Sequence, residues 1–163
     1  MISRAERLQL FAVMAVLVVL HFYVRPRLWD ARMTPDFLLL ALLLYAMRSR
    51  PGHGALAGFV VGLVVDAVTP ARFGAAMLAH TIVGYLAAWG RAVFFADNLL
   101  VNVLFVALGV WVRDLLLVLA SGMLDGLLVQ LAVYAPLQAF ATGVAAFVVL
   151  FAFREWFAIR FDV

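Results

Sequence analysis

The chain has 163 residues, of which 68% are hydrophobic and 13% are charged, and its mean hydropathy is +1.13. These values lie outside the range of soluble domains and predict an integral membrane protein. All 12 basic residues are arginines beside apolar runs, so the net charge of +3 indicates membrane topology and argues against nucleic-acid binding. The sequence contains no cysteine, which excludes disulfides and thiolate chemistry.

Six apolar runs follow one another along the chain and predict an all-α integral membrane protein, a six-helix transmembrane bundle. The second and third runs are short for a crossing, which needs about 20 residues. They predict a tight hairpin around Arg48 and Gly52. Segment 123–135 could be a re-entrant piece, a surface helix or the start of a long kinked sixth helix, and we favour the last two. One transmembrane domain, 1–163, is predicted, with spans 8–24, 36–47, 54–68, 73–90, 99–120 and 136–153.

The arginines also predict the orientation of the bundle. With the N-terminus inside, seven arginines lie in inner segments and four in outer segments, which favours a cytoplasmic position for both termini. Three tryptophans, Trp29, Trp89 and Trp156, fall beside predicted interfaces, as in aromatic belts. The inner arginines are Arg4, Arg7, Arg48, Arg50, Arg91, Arg154 and Arg160, and the outer ones are Arg25, Arg27, Arg32 and Arg72.

Polar residues of the apolar runs concentrate in the outer half of the predicted bundle, at a rise of about 1.5 Å per helical residue. One interpretation is a polar cavity open to the outside, in which Asp66 or Asp36 neutralises Arg113. The other is that these groups only anchor the helices at the interface. Arg113 and Asp114 project about 100° apart, which favours partners on different helices. The residues of this set are His21, Asp36, Asp66, His80, Arg113 and Asp114.

Glycines repeat every four residues in the third run, at Gly54, Gly58 and Gly62, and Asp66 continues the same register. We call the three glycines the glycine ladder. Such a face lets another helix approach to backbone contact in lipid. The approaching helix could belong to the same bundle, which we favour, or to a partner protein or a second copy of the chain.

Motifs of known catalytic sites are missing from the sequence, including a Gly-x-Ser-x-Gly elbow, HExxH, a phosphate-binding loop and GxGxxG. The aspartates stand on different predicted elements, so no paired carboxylates are expected on one helix. The sequence therefore predicts a protein that is not an enzyme and that needs no metal or cofactor.

The stretch from Thr34 to Arg91 resembles the MreD family of rod shape-determining proteins. The resemblance lies in a Pro-Asp that opens a short helix, an arginine turn, spaced glycines ending in aspartate, a loop glycine and a Gly-Tyr pair. It implies a non-enzymatic scaffold subunit of the bacterial cell-elongation machinery in the inner membrane, supporting rod shape and peptidoglycan synthesis. The matching residues are Pro35, Asp36, Arg48, Gly58, Gly62, Asp66, Gly74, Gly84 and Tyr85.

The resemblance also implies partners. The expected direct partner is MreC, through its transmembrane helix and juxtamembrane region. MreB, RodA and a penicillin-binding protein would be reached indirectly, within the lipid bilayer.

Members of this family are similar in architecture to the substrate-binding subunits of energy-coupling-factor transporters, so vitamin binding is the alternative function. Such subunits present an Ala-x-x-x-Ala stripe on the first helix. Here Ala12 and Ala15 are three residues apart. We therefore place the scaffold function first.

Overall fold

The computed structural model describes residues 4–28, 30, 32–93, 98–122 and 126–153. These residues form six principal helices, which confirms the all-α prediction for this part of the chain. Four helical segments are long and apolar enough to cross a membrane, namely Leu8–Arg27, Pro51–Val68, Leu99–Ser121 and Leu127–Ala152. The helices are α1 (Arg4–Val19), α2 (Phe37–Ala46), α3 (Pro51–Val68), α4 (Ala75–Val93), α5 (Leu99–Ser121) and α6 (Leu127–Ala152).

Helix α6 begins well before the sixth apolar run that the sequence marks. Leu127–Val129 leads into a π-helical turn, Gln130–Tyr134, and the regular helix continues from Ala135. Pro136 cannot donate a backbone hydrogen bond and crowds the carbonyl four residues earlier, which lies within this turn. Of the three alternatives for segment 123–135, the described residues therefore show the start of one long sixth helix.

Helix α2 forms the centre of the bundle and contacts α1, α3, α4, α5 and α6. Leu38 to Leu44 are all buried, as expected for a helix that is hydrophobic on every side. Its first turn is capped by Asp36, whose Oδ1 accepts a hydrogen bond from the Leu39 N–H at 3.0 Å. With ten residues, α2 is about 15 Å long and too short to cross a bilayer alone.

The glycine ladder faces α4 of the same chain. All three glycines are buried, and a Cβ at any of them would come closer than 3.0 Å to an atom of α4. Gly54 lies against Gly84, Gly58 against His80 and Gly62 against Ala76, so the two helices are antiparallel. This face is therefore occupied by the protein's own fourth helix.

Helix α5 packs between α4 and α6. The Trp111 side chain donates a hydrogen bond from Nε1 to the Leu131 carbonyl at 3.2 Å, which joins α5 to the π-helical turn of α6. Helices that follow one another run antiparallel, as their paired residues show, so α1, α3 and α5 end near the start of α2, α4 and α6. We call this the Asp36 end of the bundle.

Candidate functional site

Asp36 is the centre of a buried group of charges at the Asp36 end. Its Oδ2 lies 2.9 Å from Nη2 of Arg113 and 3.9 Å from Nη1 of Arg25. Its Oδ1 lies 3.3 Å from Nδ1 of His21. Asp36 and Arg113 are 4% and 7% exposed, so neither reaches the surface as an anchor would. We call Asp36, Arg113, Asp114, His21 and Arg25 the Asp36 cluster.

Helix α6 contributes two polar side chains that the sequence analysis did not single out. Gln138 Oε1 accepts a hydrogen bond from Arg113 Nη2 at 3.3 Å, and the Asp36 N–H donates to Thr142 Oγ1 at 3.0 Å. Thr142 itself donates to the Gln138 carbonyl at 2.7 Å. Both side chains are buried and stand one turn apart in an otherwise apolar run, which is the signal that could have identified them.

Arg113 also contacts its neighbour in the sequence. Arg113 Nε and Asp114 Oδ1 are 3.1 Å apart. The expectation of partners on different helices is therefore confirmed for Arg113, which reaches Asp36, and wrong for Asp114. The long Arg113 side chain reaches Asp36 through Nη2 while its Nε stays near Asp114. Asp114 Oδ2 is buried and has no hydrogen-bond partner among the residues that the structure describes.

Asp66 lies apart from the Asp36 cluster and is not the partner of Arg113. Its Oδ2 accepts hydrogen bonds from the N–H groups of Gly74 and Met77, both at 2.9 Å, and its Oδ1 accepts one from Ala76 at 3.1 Å. Gly74 has a φ of +100°, a conformation that L side chains rarely adopt. The carboxylate thus binds free N–H groups where α4 begins, as a helix N-terminus favours.

The remaining predicted residues occupy several environments. His80 is 1% exposed, and its Nδ1 lies 2.8 Å from the Ala76 carbonyl one turn earlier, while its own backbone packs on Gly58. Tyr85 and Trp89 are exposed on α4. Residues Trp29, Arg154, Trp156 and Arg160 lie outside the described residues.

Chemically, the Asp36 cluster is a set of groups that satisfy one another. Two arginines balance two aspartates, and hydrogen bonds from α2 and α6 complete the set. Within the described ranges, no group of three histidine, aspartate or glutamate side chains is placed to hold a metal ion. The arrangement can join helices, but among the described residues it leaves Asp114 Oδ2 without a hydrogen-bond donor and Arg113 Nε without an acceptor.

A cavity of about 570 Å³ lies beside this carboxylate, between the second half of α5 and the start of α6. Its wall includes Asp114, but it does not include Asp36 or Arg113. This cavity therefore does not enclose the Asp36–Arg113 pair, which the cavity expected from the sequence would do.

Comparison with known proteins identifies the family. A family model described as rod shape-determining protein MreD matches residues 6–159. No curated protein and no solved structure matches the chain, so the architectural likeness to energy-coupling-factor subunits has no structural match behind it. Because the match spans nearly all of the 163 residues, the chain belongs to the MreD family of rod shape-determining membrane proteins.

Proposed function

We propose that this protein is a non-enzymatic scaffold subunit of the bacterial cell-elongation machinery, which binds MreC in the inner membrane. The observation that carries the proposal is the match to the MreD family over residues 6–159. The Asp36 cluster supports it, because its buried charges join the segment that follows α1 to α2, α5 and α6. Through MreC, the protein would act on MreB, RodA and a penicillin-binding protein.

The surface that we assign to the MreC transmembrane helix is a groove between α4 and α5. The glycine ladder is covered by α4, so a partner helix has to use a face that is still exposed. The groove has a volume of about 170 Å³ and an apolar lining. Leu86 and Trp89 on one side and Leu108 on the other are 43%, 51% and 58% exposed. A partner side chain inserted between them would gain packing contacts, which drive helix association in lipid.

Site-directed crosslinking tests this assignment without background from native cysteines of this chain, which contains none. Leu86→Cys and Leu108→Cys place thiols at the groove, and a cysteine is introduced into the MreC transmembrane helix. Leu56→Cys on α3 and Phe140→Cys on α6 are matched controls, since both residues are exposed apolar side chains on other faces. We expect oxidative crosslinks to MreC from the groove positions only.

The outcomes separate the partner from the surface. Co-purification with MreC but crosslinks only from Leu56 or Phe140 would overturn the groove and retain the scaffold function. Absence of MreC from material purified out of native membranes, together with normal cell shape after deletion, would overturn the scaffold function. Crosslinked dimers of this chain would assign the groove to a second copy.

A further inference from the structure

The cavity beside Asp114 has the size and the chemistry of a small-molecule site. Its volume of about 570 Å³ lies within the range of ligand pockets, roughly 300–1,000 Å³. Apolar side chains, among them Leu117 and Leu127, share its wall with charged ones. Such a mixture suits a ligand that has both polar and apolar parts, and the proposed scaffold function makes no use of it.

An anionic group in the cavity wall lacks a hydrogen-bond donor. Asp114 is 4% exposed, and its Oδ2 is buried without a partner among the described residues. Its Oδ1 is only 3.1 Å from Arg113 Nε, yet that nitrogen also lacks a hydrogen bond, so the contact is one of charge alone. A buried carboxylate oxygen without a donor is costly, and a donor from a bound molecule would remove this cost.

Cationic groups stand around the same cavity. Arg32, from the segment before α2, and Arg72, from the turn between α3 and α4, are both exposed and both line it. The guanidinium carbon of Arg32 lies 5.2 Å from the centre of the Tyr134 ring, which fixes the group by a cation–π contact. A stacked guanidinium still presents its N–H edge, and two such groups favour phosphate.

We propose that this cavity binds a phosphoethanolamine group, most simply the headgroup of phosphatidylethanolamine. The protonated amine donates to Asp114, and the phosphate lies between Arg32 and Arg72. Leu117 and Leu127 face the apolar part of the lipid. The site is at the end of the bundle where helices α3 and α5 finish, which is the depth at which a headgroup lies.

Binding of soluble short-chain lipids to the purified full chain tests the proposal. Dihexanoyl lipids with ethanolamine, choline and glycerol headgroups are compared by thermal stabilisation and by titration. Choline keeps the phosphate and the positive charge but has no N–H donor. One charge-assisted hydrogen bond corresponds to a preference of roughly tenfold or more for ethanolamine over choline. Free phosphoethanolamine, as a further ligand, decides whether the lipid chains contribute.

Two variants assign the contacts. Asp114→Asn should abolish the preference for ethanolamine over choline while binding of the phosphate is kept. Arg72→Gln should weaken all the phospholipids, and Arg27→Gln, an exposed arginine at the same end that does not line the cavity, should change nothing. Since Arg72 is exposed, its replacement is expected to leave the fold intact even where an Asp114 variant unfolds.

Equal binding of ethanolamine, choline and glycerol headgroups by the unmodified protein would overturn the proposal. The proposal would also be overturned if Arg72→Gln bound the ethanolamine lipid as tightly as the unmodified protein does. If free phosphoethanolamine stabilises the protein as much as the lipid does, binding of the phosphoethanolamine group is supported, and the ligand is a soluble zwitterion instead of a lipid. None of these outcomes depends on MreC binding, so they test the lipid site independently of the proposed scaffold function.

Discussion

Replacing Gly58 with alanine perturbs the α3–α4 contact at its tightest point. The added Cβ would come closer than 3.0 Å to three backbone atoms of α4, with His80 C at 2.6 Å and Thr81 Cα at 2.9 Å. Backbone atoms cannot rotate away, so the two helices have to move apart by roughly 1 Å to restore ordinary contact. The neighbouring glycines, Gly54 and Gly62, would lose their contacts with α4 at the same time.

The expected cost follows from this geometry. Overpacking of a tight core typically costs about 1–3 kcal/mol, and a contact that only backbone movement relieves belongs at the upper end. The intrinsic gain in helix propensity from glycine to alanine, roughly 1 kcal/mol, offsets part of it. We expect Gly58→Ala to lower the free energy of unfolding by about 2 kcal/mol.

Gly143→Ala is the matched control. Gly143 is also a buried glycine inside a long helix, but its Cβ would meet Val103 and Ala107 side chains at 3.6 and 3.7 Å, which is ordinary contact. This variant should be neutral or slightly stabilised. Unfolding of the purified variants in a graded detergent mixture, followed by circular dichroism, measures both. Equal stability of the two variants would refute the argument that the glycine ladder sets the distance between α3 and α4.

Three further predictions concern the charged groups. Arg113→Met leaves Asp36 buried without its main partner and should lower the free energy of unfolding by about 3–5 kcal/mol. In a double-mutant cycle, adding Asp36→Asn should recover on the order of 1–3 kcal/mol of this loss. No recovery would contradict the pairing of Asp36 with Arg113. Asp66→Asn weakens the hydrogen bonds from the N–H groups where α4 begins and should lower the free energy of unfolding by about 1–3 kcal/mol. Its effect should add to that of Arg113→Met, since Asp66 and Arg113 are not paired. Strong coupling of those two changes would disprove their separation. Gly74→Ala strains a backbone at φ +100° and should cost roughly 1–3 kcal/mol in the same unfolding assay, and unchanged stability would argue against that conformation.

The two aspartates that carry the family resemblance have structural roles in this chain. Asp36 caps α2 and joins it to α5 through Arg113. Asp66 holds the loop after α3 and the start of α4 through three N–H groups. In lipid, where the hydrophobic effect does not drive helices together, such polar contacts and close backbone packing hold a bundle in one arrangement. The residues of the family pattern around Pro35, Asp36 and Asp66 thus serve to hold the fold of this protein together.

Much of the architecture could be predicted from the sequence because the bilayer requires long apolar helices and penalises other structures. The membrane class, the all-α fold, the short second helix and the close approach at the glycine ladder follow from composition and spacing alone. The resemblance of residues 34–91 also led to the correct family. Each of these depends on hydropathy or on spacing along a single helix, which the sequence displays directly.

The pairing of the polar groups was decided only by the tertiary structure. Counting residues placed Asp36, Asp66 and Arg113 in the outer half of the predicted bundle, but depth does not say which helix lies beside which, or how each is rotated. The packed bundle turns Asp66 towards the start of α4 and Arg113 towards Asp36, and it brings Gln138 and Thr142 to the same point. It also covers the glycine ladder with α4 and leaves Asp114 beside a cavity, because helix rotation and crossing are set by contacts between distant segments of the chain.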